Sequence, residues 1–379
     1  MKSSYKLLGD YITRVDVRNK DLQTTNLRGL SMTKEFREST SNIVGVDLSK
    51  YKLVPKNHFA CDFMSVIRVH KLPVVHQNSD ELIIVSPAYT VFKVIDENIL
   101  NPEYLMMWFR RPEFDRYADF RCDSAIRGGF KWEELGEVEL PIPSIEKQRK
   151  IVKEYNTIVN RIKLNETLNQ KLEDTAQALY KHWFVDFEFP NAEGKPYKSS
   201  GGEMVYNAEL DSEIPLGWEV EQLERVIEFK NGKKKPNIKG EYSVYGGNGI
   251  IDFVNNYNAE STIIVGRVGA YCGSLYLEYN KCWISDNAIS GNSINEELTY
   301  CLYLLQSLNI SERREGTGQP LITQSLLNEI NFVYPSKKIR SQFNNKVEIL
   351  QKRIKINEIQ TQLLRALESL MLAKMSKTA

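Results

Sequence analysis

Cysteine and histidine are scarce in this chain of 379 residues, and neither is grouped. The five cysteines, Cys61, Cys122, Cys272, Cys282 and Cys301, are odd in number and show no C-x-x-C spacing. That argues against a disulfide framework and fits a reducing cytoplasm. Four scattered histidines offer no zinc pattern. No apolar run approaches the roughly 18 residues of a membrane span, and the N-terminal Met-Lys-Ser-Ser-Tyr-Lys lacks a signal-peptide core, so neither membrane insertion nor secretion is expected. An excess of one charge is missing too: 50 Lys and Arg against 49 Asp and Glu leave +1, so bulk charge does not announce a nucleic acid or an anionic membrane.

What the chain has is length and internal repetition. It is about two to three times the usual domain size, so more than one folding unit is expected. The stretch from Leu135 matches the stretch from Leu327 without a gap at an offset of 192 residues, with eleven identities in 38 positions, among them Pro143/Pro335, Ser144/Ser336, Arg161/Arg353, Asn165/Asn357 and Glu166/Glu358. Each copy contains an alternating strand, a proline that stops it, and a long helical pattern. Ser144 and Ser336 are suited to cap those helices. Apolar residues recur at Ile151, Tyr155, Ile158, Ile162, Leu172, Ala176, Leu179 and Trp183, and again at Phe343, Val347, Leu350, Ile354, Leu364 and Met371. Each stripe is narrow and interrupted by one Asn, Asn165 or Asn357.

A helix with a single narrow stripe needs a partner, and the two are expected to pair with each other as an antiparallel coiled coil. Asn165 and Asn357 then fix the register, each lying at the midpoint of its stripe and meeting the other. The fold class is α+β in two pseudo-symmetric halves, each a mixed α/β domain followed by a long helix. The expected segments are a first domain over 1–143, a central helix over 144–189, a linker over 190–217 rich in turn formers, a second domain over 218–335 and a C-terminal helix over 336–379. Charge is segregated along them. The second domain carries −4, whereas the stretch from Ser336 has ten cations against three carboxylates.

The two domains share a plan but not their loops. Asn101-Pro102-Glu103 reads as a capped helix start running to near Arg121, and Asn295-Glu-Glu-Leu298 as its counterpart. Loops of the first domain bring Lys34, Arg37, Arg68, His70, Lys71, Tyr89, Arg121, Arg127 and Lys131. Those of the second bring Lys233, Lys234, Lys235, Tyr245, Asn248, Arg267, Tyr271, Trp283 and Gln319. Such cations, amides and aromatics are what base and phosphate contacts require, because Arg and Lys read guanine and Asn and Gln read adenine.

Catalytic patterns are absent or misleading. Asn101-Pro-Glu-Tyr104 only imitates the N-P-P-Y of amino-methyltransferases, lacking its second proline and any cofactor loop. Asp186 with Glu193-Gly-Lys195 imitates a nuclease constellation but lies in a turn-rich stretch. Neither Gly266-Arg-Val-Gly269 nor Gly247-Asn-Gly249 is a phosphate loop, and no metal site is expected.

Taken together, the residues resemble the specificity subunits of Type I restriction-modification systems over essentially the whole chain. The resemblance is carried by Ala178-Leu-Tyr-Lys-His-Trp-Phe-Val-Asp-Phe187 and Ile214-Pro-Leu-Gly-Trp-Glu-Val220, supported by Gly45-Val-Asp-Leu-Ser49, Ser86-Pro-Ala-Tyr-Thr-Val-Phe92, Leu140-Pro-Ile-Pro143 and Tyr242-Ser-Val-Tyr-Gly246. It implies two target-recognition domains that each read half of a split DNA sequence, with the helices as a ruler. It also implies that the chain is not itself an enzyme. Two modification subunits would bind S-adenosylmethionine and methylate adenine, and two restriction subunits would bring ATP, Mg and cleavage. The stripes span 28 residues, roughly 42 Å at about 1.5 Å per residue, a little over one DNA turn of about 34 Å. The rival class is a coiled-coil scaffold whose mixed domains bind proteins or peptides.

Overall fold

A computed structural model describes residues 5–40, 45–122, 129–315 and 320–377. It divides into two compact units, Met1–Asn165 with Ile359–Ala379, and Glu166–Glu358. The division cuts across the five segments read from the sequence, because each unit owns half of each long helix. Chain direction explains this: a helix that leaves one domain enters the other, and its far end packs there.

In the first unit, Tyr5–Leu7 pairs antiparallel with Glu139–Pro141, the strand that leads into the central helix. A four-stranded antiparallel sheet follows in the order Ile12–Val15, Thr90–Val94, His58–Cys61, Val74–His76. Phe59 and Phe92 stack at 4.9 Å across neighbouring strands of it. Against this sheet lies the helix Pro102–Phe109, every residue of which but Glu103 is buried. Asn101 caps it by accepting from the Tyr104 amide at 3.0 Å, as a helix start and not a methyltransferase motif requires. The helical run to Arg121 is two helices, since Pro112 begins a second one, Pro112–Arg121, and Arg111 before it is extended.

The second unit repeats the opening. Glu219–Gln222 pairs antiparallel with Asn331–Tyr334, which leads into the C-terminal helix. Its sheet is larger, six strands in the order Ile227–Asn231, Ala288–Ser293, Ala259–Gly266, Leu275–Ile284, Tyr242–Gly246, Gly249–Val254. Only the Tyr242–Gly246 and Leu275–Ile284 pair is parallel. The apolar helix Leu298–Ser307 starts without a side-chain cap of its own. Its cap comes instead from Asn344 on the C-terminal helix, whose Oδ1 accepts from the Thr299 and Tyr300 amides at 3.1 and 3.2 Å.

The expected linker is a folded part of this unit. Phe189 stacks on Tyr197 at 4.5 Å and on Trp218 at 4.8 Å, and Met204–Asn207 forms a hairpin with Ser212–Pro215. Its turn formers shape tight turns, with Asn191 Oδ1 accepting from the Glu193 and Lys195 amides at 2.9 and 3.0 Å. Asp186 pairs with Lys181 at 2.8 Å and Glu193 with Lys195 at 3.0 Å. Among the described residues no group of His, Cys, Asp or Glu is arranged to hold a metal, and no helix is long and apolar enough to cross a membrane.

The central helix spans Ile145–Tyr180 and ends in a π-helical turn, Lys181–Val185. The C-terminal helix spans Lys337–Lys374. They pair antiparallel in both units. In the first unit Tyr155 donates to Glu368 at 2.7 Å and Asn165 to Gln360 and Thr361 at 3.0 and 3.3 Å. In the second, Asn357 donates to Asn169 at 2.8 Å and Gln351 to Glu173 at 2.9 Å. Both register asparagines are 1% exposed, but they do not bond each other as expected: Asn165 bonds Gln360 and Thr361, and Asn357 bonds Asn169. The helix ends anchor the pairs. Tyr180, Trp183 and Phe184 enter the core of the second unit, and Leu372 and Met375 that of the first. All five cysteines are free thiols, four of them buried.

Candidate nucleic-acid interface

Loops at one end of the six-stranded sheet converge in the second unit. The Lys233 amide bonds the Ile284 carbonyl at 3.0 Å, and the Trp283 indole donates to the Lys233 carbonyl at 3.1 Å. The Arg267 amide bonds the Asn287 carbonyl at 3.0 Å, and the Ile322 amide bonds the Arg267 carbonyl at 2.9 Å. Ser274 Oγ donates to the Gly247 carbonyl, which draws in the turn bearing Asn248. Close packing makes glycine obligatory here: a Cβ on Gly266 would overlap the Tyr271 carbonyl, and one on Gly273, whose φ is +86°, would overlap Ser311.

Lys233, Lys234, Asn248 and Tyr271 are exposed at this end. Arg267 is half-buried and its Nε has no hydrogen-bond partner among the described residues. Arg314 joins them, within electrostatic reach of Cys272, whose thiol burial pushes up and Arg314 pulls back. The sequence reading missed Arg314 and Asn287, since only the fold brings Asn287 against Arg267 and Arg314 within reach of Cys272. Gln319 lies outside the described residues.

Two expected contact residues of the Lys run and its neighbourhood are otherwise engaged. Lys235 pairs with Asp252, as does Lys239, and these bonds hold the Asp252 carboxyl well below its usual range. Tyr245 is 4% exposed and donates to Glu278 at 2.7 Å, so it is an interior residue and not a surface contact. Burial is the main reason its phenol is pushed far up.

In the first unit the loops bring Arg37, Arg68 and Asp62 within electrostatic reach of Tyr89. Burial and Asp62 raise the Tyr89 phenol, and Arg37 and Arg68 oppose them. Lys52 donates to the Tyr89 carbonyl at 2.6 Å and is a cation of this cluster the sequence reading did not name. Lys71 and Lys131 are exposed, the latter at the start of the helix Trp132–Gly136. His70 bonds Asp119 at 2.9 Å, and Arg121 pairs with Glu137. Lys34 corrects the expectation outright. It is 4% exposed, its ammonium bonds the Phe109 carbonyl and Asp115, and it closes the end of the helix Pro102–Phe109. Arg127 lies outside the described residues.

Both units thus set a cluster of cations and an aromatic on loops held by one frame. A family model described as the Type I restriction modification DNA specificity domain matches residues 215–369. The MjaIX specificity subunit of a Type I restriction enzyme from Methanocaldococcus jannaschii is 26% identical over 315 residues, 74% of this chain and 70% of the relative. The chain is thus similar to the specificity subunits of Type I restriction-modification systems. The HindI specificity subunit of Haemophilus influenzae is 35% identical over 127 residues, 32% of this chain and 27% of that subunit. A crystal structure of the S subunit of a Type I system from M. genitalium shares the fold, with a TM-score of 0.65 at 15% identity over 98% of this chain and 95% of that one.

Proposed function

We propose that this chain is the specificity subunit of a Type I restriction-modification system, that it reads a bipartite, asymmetric DNA target with one half-site for each of its two mixed domains, and that it directs partner subunits to that target. The observation that carries the reading is one frame used twice with different loops. The strand pairs Tyr5–Leu7 with Glu139–Pro141 and Glu219–Gln222 with Asn331–Tyr334 begin and end equivalent domains, whereas the cluster around Tyr89 and the one around Arg267 share no residue pattern. Equal frames with unequal loops suit two unlike half-sites better than a palindrome. The half-sites are centred a little over one DNA turn apart, by the length of the helical stripes.

The partners are two modification subunits, which carry S-adenosylmethionine and methylate adenine, and two restriction subunits, which carry ATP and Mg and cut. All of this takes place in the cytoplasm. Four large apolar side chains on the C-terminal helix of the first unit support such an assembly: Ile359, Leu363, Leu367 and Leu370 are 45–67% exposed within twelve residues. An apolar stripe of that kind on a helix is a protein-docking feature. Near-neutral net charge then means that this chain supplies selective contacts while its partners supply much of the phosphate grip.

Binding of the purified full chain to duplex DNA over a salt titration tests the reading. Weak, salt-dependent, sequence-selective binding is expected. No binding at any salt concentration favours the protein-binding scaffold, and metal-dependent cleavage lost in Glu193→Ala would assign a nuclease instead.

A further inference from the structure

The six-stranded sheet holds an interior network beneath its recognition turn. Tyr245 packs its ring with Ile264, Cys282, Ile284 and Ala288, and its hydroxyl donates to Glu278 Oε2. Glu278 is itself 4% exposed. It accepts three further bonds, from the Asn280 amide at 2.9 Å, from Asn280 Nδ2 at 3.1 Å and from Lys355 Nζ at 3.2 Å. Burial pulls this carboxyl upward, yet the Asn280 amide, Tyr245 and Lys355 together bring it below its ordinary value. Glu278 is therefore a buried carboxylate with every lone-pair direction in use.

Its donors come from two places that matter for recognition. Lys355 belongs to the C-terminal helix. Tyr245 immediately precedes Gly246, which pairs with Gly249 across the turn that exposes Asn248. The Tyr245 carbonyl also accepts the Ser285 amide at 2.9 Å, at the edge of the loop beside Arg267. Charge-assisted bonds are the strong ones, and a loop fixed before binding loses less entropy when it binds. We infer that Glu278 is a positioning residue, tying the Gly246–Gly249 turn to the C-terminal helix through Tyr245 and Lys355 and so fixing where Asn248 meets DNA.

The inference rests on the DNA-recognition reading and deepens it. The test selects bound sequences from a randomised duplex library with the full chain, for wild type, Tyr245→Phe, Glu278→Gln and Lys355→Met, with thermal melting of each. Wild type is expected to return a two-part target. Tyr245→Phe keeps the ring packing and loses only the tie, so it binds about tenfold less tightly at one half-site, the size expected of a hydrogen bond to a charged group. Glu278→Gln behaves alike, Lys355→Met shows a smaller loss in the same direction, and the other half-site keeps its preference. Folded variants that bind both halves like wild type overturn the inference, and so does an equal loss at both halves, which marks a merely structural role. If Glu278→Gln does not fold, the other two variants decide. A wild-type chain that selects no sequence overturns the DNA-recognition reading itself, a result distinct from a selective wild type with unchanged variants.

Discussion

Gln148 and Arg340 stand 192 residues apart at the same point of two similar frames, and they secure that point with different chemistry. Gln148 is fully buried. It donates to the Pro143 and Ile99 carbonyls, both at 2.8 Å, and accepts the Asn101 amide at 2.9 Å, joining the strand end, the helix cap and the central helix with a neutral amide. Arg340 donates to the Pro335 carbonyl in the same way. Its Nε then pairs with Glu297 at 2.8 Å, with Ser341 on the other carboxylate oxygen at 2.7 Å and the Tyr334 ring 4.4 Å from the guanidinium. The first junction is neutral and the second is a desolvated ion pair, so the frames should fail under different insults although their backbones agree.

The largest expected effect is at the charged junction. Arg340→Ala leaves Glu297 buried and unpaired and should destabilise the second unit by about 3–5 kcal/mol, whereas Gln148→Ala should cost the first unit about 1–3 kcal/mol for its orphaned backbone groups. Urea denaturation with hydrogen exchange followed separately in the two units measures both. The double change Arg340→Gln with Glu297→Gln, which copies the neutral chemistry, should cost less than Arg340→Ala alone. Equal costs for the two single variants would break the comparison.

Acid should single out the first unit. Burial, followed by Arg110 and His58, lowers the His76 pKa from 6.5 to about 4. A depressed folded value means that the unfolded chain takes up a proton the folded one refuses. Stability is therefore complete above pH 6.5 and falls as the pH drops to about 4, by on the order of 1–3 kcal/mol. Exchange protection in the first unit should follow this curve, and His76→Leu should flatten it. Smaller again is the borrowed helix cap: Asn344→Ala should cost the second unit about 1 kcal/mol and loosen the first turn of Leu298–Ser307. The first unit caps its equivalent helix locally with Asn101. Smallest is the asymmetry of the register asparagines, since Asn165 Nδ2 bonds two residues of the facing helix, whereas Asn357 Nδ2 bonds one and its side-chain Oδ1 has no partner among the described residues. Asn165→Ala should cost more than Asn357→Ala by about 1 kcal/mol or less in thermal melting.

These contrasts also mark what was legible in the sequence. The repeat, the prolines and the heptad-like stripes announced the strand–helix frame, because periodicity and chain breaks are local properties. The pairing of the helices followed from stripes too narrow to stand alone. The role of the turn-rich stretch over 190–217 was not legible: Phe189, Tyr197 and Trp218 meet only in three dimensions, and turn formers describe a tight fold as well as a linker. Lys34 and Tyr245 were misread for one reason. A loop lysine or tyrosine looks like a surface contact unless its partners are known, and Asp115 and Glu278 lie 81 and 33 residues away. Arg314 and Asn287 carry no local signal and emerge only from the convergence of loops at the end of the sheet.

The central claim, that one frame used twice reads two different half-sites, is tested most directly by mapping DNA methylation in cells that carry this chain with the modification subunit proposed as its partner. The account predicts methylated adenines within a split, non-palindromic motif whose two halves are centred a little over one helical turn apart. A continuous or palindromic motif would contradict it.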